Sequence, residues 1–191
     1  MALLLTTPPA VEPLSLAEAK AHLRLDGDDE DALVTSLIAT ARTHVERTLD
    51  LALLTQGWSL LLDRWPDAGP VGIPLAPVQS VTSVEVADAG GGKETFAAEH
   101  YFLDAASTPA RLTPTGSQPW PRPGRRAAGI EIAFTAGFGD EADDVPPPIR
   151  QALLLLAAHW FETREPVSLA GAVEVPATVA ALLAPYRRVC L

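Results

Sequence analysis

The sequence predicts an α+β protein in which helices at both ends of the chain flank an antiparallel β-unit. Two amphipathic helical patterns occupy residues 15–50, alternating strand patterns fill the middle, and a long apolar helix follows three consecutive prolines that begin at Pro146. The hydrophobic period therefore changes from helical to strand-like and back again. We predict a helical bundle of two N-terminal helices, one long central helix and one short C-terminal helix, with the antiparallel β-unit inserted.

The N-terminal part is predicted to be a flexible arm followed by a helical pair. Residues 1–14 contain three prolines and no hydrophobic period, so they have no helix of their own. The first helix begins at Ser15, where Ser15 and Glu18 form a capping-box pattern, and it ends near Leu25. The second runs from about Asp28 to Asp50. Its core-facing stripe is predicted to be Leu33, Leu37, Ala41, Val45 and Leu49, widened by Val34 and Ile38.

The middle of the chain, residues 54–139, is predicted to be the β-insertion. Apolar and polar residues alternate in several short runs separated by proline and glycine. The predicted strands are residues 58–62, 81–86, 95–103, 111–112 and 130–135. A glycine-rich turn, residues 88–93, and a long loop from Ser107 to Arg126 that Trp120 is expected to pin complete this unit.

The central helix is predicted within the stretch from Pro146 to Pro166. Ile149, Ala152, Leu153, Leu156, Ala157 and Trp160 recur at helical spacing, and Leu154, Leu155, Ala158 and Phe161 cover most of the other side. A helix that is apolar nearly all round is buried against more than one neighbour. Two interpretations stay open: the helix is wholly internal to one domain, or Leu154, Leu155, Ala158 and Phe161 contact another subunit. Its apolar run is far shorter than the roughly 20 residues that cross a bilayer.

The C-terminal part is predicted to contain a short helix and a tail. The helix spans Ala177 to Leu183 and is stopped by Pro185, so the helical residues of this end lie within 146–185. We therefore expect a single domain over residues 15–185. The remaining residues, Tyr186 to Leu191, form a basic and apolar tail.

Composition and motifs point away from catalysis and from tight nucleic-acid binding. The net charge of −10 disfavours a protein that grips phosphates, although DNA could still slide past an acidic surface. The single cysteine, Cys190, cannot form an internal disulfide, which fits a reducing compartment. The four histidines share no metal-ligand spacing, Gly90–Lys93 lacks the Ser or Thr of a phosphate loop, and Asp31 occupies the position where a calcium loop needs glycine. No catalytic, cofactor-binding or metal-binding residue is predicted.

Three motifs together resemble a known family. They are FTAGFGD (134–140), PPIRQALLLLAAHWFE (147–162) and LLAPYR (182–187). In this order and at these distances they resemble the head–tail connector (adaptor) proteins of tailed phages, prophages and gene transfer agents, over Ser15 to Arg187. The resemblance implies a non-enzymatic ring of about twelve copies below the portal, which extends the DNA channel and supports stopper and tail proteins. It also implies a location in the particle neck, after assembly in the bacterial cytoplasm.

The expected partners are further copies of the chain, the portal protein, a stopper or tail-completion protein and, transiently, passing double-stranded DNA, with no membrane. We hypothesise that the tail docks on the portal, Tyr186 and Leu191 in apolar pockets and Arg187 and Arg188 on acids. The portal-binding set is Tyr186, Arg187, Arg188, Val189 and Leu191. The alternative for the tail is disorder. The alternatives for the function are another neck protein, such as a stopper or tail-completion factor, or a small enzyme or ligand-binding module with a pocket in the β-unit.

Overall fold

The computed structural model describes residues 1–116, 119–163 and 176–188. The chain divides into two compact units. Unit 1 comprises Met1–Pro9 and Thr55–Gly137, and unit 2 comprises Ala10–Leu54 and Phe138–Leu191. The described strands lie in unit 1 and pair antiparallel, and the described α-helices lie in unit 2. The predicted α+β class is therefore confirmed.

The described strands of unit 1 form two antiparallel sheets. They are β1 (Ala2–Thr7), β2 (Gln56–Leu62), β3 (Val71–Ile73), β4 (Val78–Ala87), β5 (Lys93–Thr95), β6 (Tyr101–Asp104), β7 (Ala110–Pro114) and β8 (Ile130–Ala136). One sheet has the order β1-β2-β8-β4-β5, and the other has the order β3-β7-β6. The sheets alternate as expected for half-buried strands: in β8, Ile130, Ile132 and Phe134 are buried, whereas the residues between them are partly exposed.

Part of the N-terminal arm, residues 1–14, forms a strand. Residues 2–7 form edge strand β1, in which Leu3 lies opposite the fully buried Leu60 of β2. Glu12 accepts a hydrogen bond of 2.8 Å from Nε of Arg42 on the second helix, and Leu14 is buried. The alternation of residues did not predict β1, because uninterrupted leucines carry no period-2 signal although they pair well once β2 is present.

Two other strand predictions differ from the structure. The single strand predicted over residues 95–103 is β5, a short 3₁₀ turn at Ala98–His100 and β6, which belong to different sheets. Strand β3 was not predicted, because the prolines around it obscure a three-residue run. The other predicted strands are present with ends shifted by a few residues.

Unit 2 contains four described α-helices: α1 (Leu16–Leu23), α2 (Asp31–Leu49), α3 (Pro147–Glu162) and α4 (Ala177–Leu183). The predicted capping box is present, since Oγ of Ser15 accepts from the amide of Glu18 at 3.1 Å and the amide of Ser15 donates to Oε2 of Glu18 at 2.9 Å. The buried stripe of α2 is Val34, Ile38, Ala41, Val45 and Leu49. All five belong to the predicted stripe, which is therefore confirmed at these positions. The prediction is wrong only at Leu33, which is exposed, and at Leu37, which is half-buried.

Helix α3 contacts α1, α2 and α4. Prolines start it, with Pro146 at the N-cap and Pro147 and Pro148 in the first turn, where a missing amide hydrogen costs little. Its buried residues are Ile149, Ala152, Leu153, Leu156 and Ala157. One side of α3 is therefore packed inside unit 2, and the opposite side is partly accessible to solvent.

Candidate interaction surfaces

The side of α3 opposite its buried residues carries an apolar strip. Leu154, Leu155, Ala158 and Phe161 are all half-buried. Their spacing places them along one side of the helix. A contiguous apolar area that stays partly in contact with water is a candidate for contact with another chain. We call these four residues the α3 strip.

The last turns of α3 lie beside α2. The rings of His44 and Trp160 meet edge to face, with centroids 5.7 Å apart and an interplanar angle of 89°. A cavity of about 450 Å³ lies along α2, lined by Ala39, Thr40, Thr43, His44, Arg47 and Thr48. The hydroxyls of Thr40, Thr43 and Thr48 donate to the carbonyls four residues earlier, so the helix backbone already uses them. This wall suits packing contacts better than recognition of a polar ligand.

An ion-pair cluster around Arg150 ties α1 to the start of α3 in unit 2. The guanidinium of Arg150 binds Oδ1 of Asp143 at 2.6 Å and also bonds the carboxylate of Glu18. Hydrogen bonds from Ser15, together with the Arg150 charge, lower the pKa of Glu18. These contacts hold the start of α3 against the N-terminus of α1. The ion pairs therefore stabilise the fold of unit 2.

The segment between α1 and α2 is strongly acidic. Residues 26–31 contain five carboxylates, and we call this segment the acidic loop. Nζ of Lys20 lies 2.6 Å from Asp31 and 3.0 Å from Asp28, and these hydrogen bonds raise the pKa of Lys20. Asp26 and Asp29 are exposed, and neither has an ion-pair partner in the part of the chain that the structure describes. The acidic loop therefore presents uncompensated negative charge.

On the polar face of the five-stranded sheet, charged side chains pair with one another across neighbouring strands. Nζ of Lys93 lies 2.9 Å from Glu85 and 2.5 Å from Glu131, and Oγ of Ser59 donates to Glu131 at 2.6 Å. The Lys93 ammonium lowers the pKa of Glu131, and Glu131 in turn raises the pKa of Lys93. This network joins β2, β8, β4 and β5, and in it the Lys93 ammonium pairs with the carboxylates of both Glu85 and Glu131.

The long loop of unit 1 is pinned as predicted. The indoles of Trp65 and Trp120 stack at 4.1 Å and 8°, and Nε1 of Trp65 donates to the carbonyl of Pro121 at 2.7 Å. The amide of Gly124 donates to the carbonyl of Ala87 at 2.7 Å. Residues 122–126, which we call the arginine loop, follow this anchor. The sequence showed the loop, but its rigidity depends on two tryptophans that are far apart in the chain.

All three arginines of the arginine loop are exposed. Nε of Arg125 donates to the carbonyl of Ala128 at 3.0 Å, which serves the loop itself. Neither Arg122 nor Arg126 has an ion pair among residues 1–116, 119–163 and 176–188. In a chain of net charge −10, this concentration of free positive charge is a distinctive surface feature.

The described residues contain little that resembles a catalytic or metal centre. Within them, no three His, Cys, Asp or Glu side chains are grouped as metal ligands would be.

A cavity of about 560 Å³ lies beside the tryptophan stack and is lined in part by Phe96, His100 and Trp120. Burial raises the pKa of the neighbouring Tyr101. None of the helices described is long and apolar enough to cross a membrane.

The predicted portal-binding tail is only partly described. Tyr186 is half-buried at the end of a 3₁₀ turn, Ala184–Tyr186, and Arg187 is exposed. Nη1 of Arg188 lies 3.9 Å from Asp50, which caps the C-terminal end of α2. Val189 and Leu191 lie outside the described residues.

Comparison with known proteins identifies the family. The family model for the phage gp6-like head-tail connector protein matches residues 13–90. A chain from the neck of an empty gene transfer agent (GTA) particle computed with C6 symmetry is 32% identical, with a TM-score of 0.84 over 100% of this chain and 97% of that chain. A chain from the virion of a native GTA particle is 33% identical, with a TM-score of 0.82 and the same coverage.

A third similar chain comes from the neck of a native GTA particle computed with C12 symmetry, at 32% identity and a TM-score of 0.74 over 98% of this chain and 97% of that chain. The search of curated proteins finds no match. Similarity above 30% identity along the full length exceeds what a shared fold alone requires. The chain belongs to the head–tail connector (adaptor) family of tailed phages and gene transfer agents, a family of non-enzymatic structural proteins of the particle neck.

Proposed function

We propose that this connector forms a ring of about twelve copies below the portal, extends the DNA channel and provides the platform on which stopper and tail proteins attach. The observation that supports this most directly is the full-length similarity to a chain from a GTA neck computed with C12 symmetry. We take residues 15–185 to work as one adaptor domain, with the β-insertion at 54–139 placed between the helical parts at 15–50 and 146–185.

The α3 strip is our candidate for one side of the contact between neighbouring copies. A cyclic ring is built from head-to-tail contacts, so each copy needs two different, complementary patches. Leu154, Leu155, Ala158 and Phe161 offer partly exposed apolar area on a helix whose other side is anchored in unit 2. Covering them would add hydrophobic stabilisation at about 25 cal/mol per Å² of apolar surface, before the cost of association is subtracted.

The net negative charge of the chain supports the proposal that DNA passes through the channel without being held. Tight binding to DNA comes from Lys and Arg that displace counterions from phosphates. A chain with a net charge of −10 gains little from such contacts, so DNA would move past it without being held.

We further propose that the tail, Tyr186 to Leu191, docks on the portal. Arg187 is exposed and available to an acidic partner, whereas Arg188 already lies near Asp50. Deleting Tyr186–Leu191 should abolish binding to purified portal protein in a pull-down, and Arg187→Lys is the matched variant that should bind normally. Undiminished binding by the deletion variant would end this idea.

The ring itself is tested by electron microscopy of particles that carry a tagged copy of the chain. We expect the tag in a single ring directly below the portal. A tag further down the neck would support the alternative role as a stopper or tail-completion protein. Particles that join heads to tails without incorporating the chain would refute the proposal.

A further inference from the structure

We propose that the arginine loop of one copy docks on the acidic loop of the next copy in the ring, and that this charge pairing sets the register between neighbours. The inference deepens the proposed ring and rests on it. The pairing of the two loops would be a polar contact between copies, in addition to the apolar contact proposed at the α3 strip. The two loops belong to different units of the chain, as a head-to-tail contact between copies allows.

The arginine loop is preorganised for binding. The Trp65–Trp120 stack and the hydrogen bond from Trp65 to Pro121 anchor the residues just before it, and the hydrogen bond from Gly124 to Ala87 holds its own backbone. A loop that is already ordered loses less conformational entropy when it binds.

Two of the three charges of the arginine loop form no ion pair within the described part of the fold, whereas Arg125 donates to the carbonyl of Ala128. Arg122 and Arg126 have no ion pair in the described ranges, whereas Lys20, Lys93 and Arg150 each bridge two carboxylates. The loop thus presents free guanidinium groups, which pair with carboxylates through two parallel hydrogen bonds. A carboxylate-rich partner is the matching chemistry.

The acidic loop is the segment of this chain that matches best. Asp26 and Asp29 are exposed and have no ion-pair partner in the described part of the chain. In the other acidic segment, residues 140–144, two carboxylates are already engaged, because Asp143 binds Arg150 and Asp144 accepts from the amide of Glu141. Charge complementarity of this kind contributes specificity and register more than affinity.

Passing DNA is another polyanion in the proposed neck, but it is a poor partner for the arginine loop. A dozen copies with free arginines on a DNA channel would make many phosphate contacts, and each contact strengthens binding and slows passage. Arginines that are sequestered between copies avoid that conflict. The acidic loop is therefore the partner that we favour.

A charge exchange tests the inference. In the particle-producing cell, the native copy is replaced by Arg122→Glu/Arg126→Glu, by Asp26→Lys/Asp29→Lys, or by all four changes together. We expect each pair alone to lower the fraction of heads joined to tails about tenfold, and the four changes together to restore most of it, because the interaction is reversed but intact. Arg122→Lys/Arg126→Lys keeps the charge and should assemble nearly as well as the native protein. Circular dichroism of each purified variant confirms that it is folded.

The outcomes separate this inference from the proposed function. Folded charge-reversal variants that are not rescued by the exchange, in particles whose necks still show the tagged ring for the native protein, would overturn the inference and leave the ring. Normal numbers of tailed particles with reduced DNA delivery for Arg122→Glu/Arg126→Glu would also overturn it and place the arginine loop on DNA. Absence of the native protein from the neck would refute the ring itself.

Discussion

The two sides of α3 should respond differently to the same substitution at adjacent positions. Leu156 is fully buried within unit 2, whereas Leu155 is half-buried in the α3 strip. Leu156→Ala and Leu155→Ala remove the same atoms and introduce the same strong helix former. Differences between the two variants therefore report the surroundings of each side chain.

For Leu156→Ala, both the transfer of the side chain and the cavity left behind count against folding. Such substitutions at buried sites cost about 2–5 kcal/mol. Unit 2 has about 100 residues, and a domain of this size loses about 4–8 °C of Tm per kcal/mol, so Tm should fall by about 10 °C or more. Leu155→Ala should cost well under half as much, because its side chain keeps part of its contact with water in the single chain.

The measurement is thermal and urea unfolding of the purified chain, followed by circular dichroism at 222 nm. All described α-helices lie in unit 2, so this signal follows that unit. Assembly is scored separately, as the fraction of tailed particles. We expect Leu156→Ala to lose stability and Leu155→Ala to lose assembly with near-native stability. Equal destabilisation by the two changes would show that the inner and outer sides of α3 have been assigned wrongly.

Three further predictions concern single positions. Ser15→Ala should lower the stability of unit 2 by about 1 kcal/mol in urea unfolding, because the capping box with Glu18 is lost, and Ser15→Asp should retain most of it. For Glu131, the pKa in the folded protein lies below the unfolded value of about 4.5. The contribution of this carboxylate to the free energy of unfolding is therefore complete above that pH, and it is lost as the pH falls through the lowered folded pKa. The stability difference between Glu131→Gln and the native protein should accordingly shrink on acidification, and a difference that grows would contradict this assignment. Gly124→Ala would place a Cβ 2.2 Å from the backbone nitrogen of Ala89, so it should cost about 1–3 kcal/mol and raise protease cleavage in the arginine loop.

Features encoded within a few neighbouring residues were predictable. The capping box at Ser15, the alternation in β8 and the proline-started helix α3 are each confirmed where the sequence places them. Each depends on local hydrogen bonding or on a hydrophobic period that is visible over one or two turns. The family motifs lie in or next to these elements, which is why family membership could also be recognised.

Features that depend on distant partners were not predictable. Strand β1 has no alternating pattern, and only β2, some 50 residues away, makes it a strand. The sequence of α2 allows more than one apolar stripe, and packing within unit 2 selected the one through Val34 while exposing Leu33.

For the candidate surfaces, the sequence by itself indicated an acidic α+β protein that resembles the connector family, and it left open whether the four residues of the α3 strip are internal or contact another subunit. Only the tertiary structure decided that the segment before the arginine loop is anchored by Trp65 and that Asp26 and Asp29 have no ion-pair partner among the described residues. The physical reason is that composition and periodicity are properties of the chain alone. Compensation of a charge depends on which side chains the fold brings within hydrogen-bonding distance.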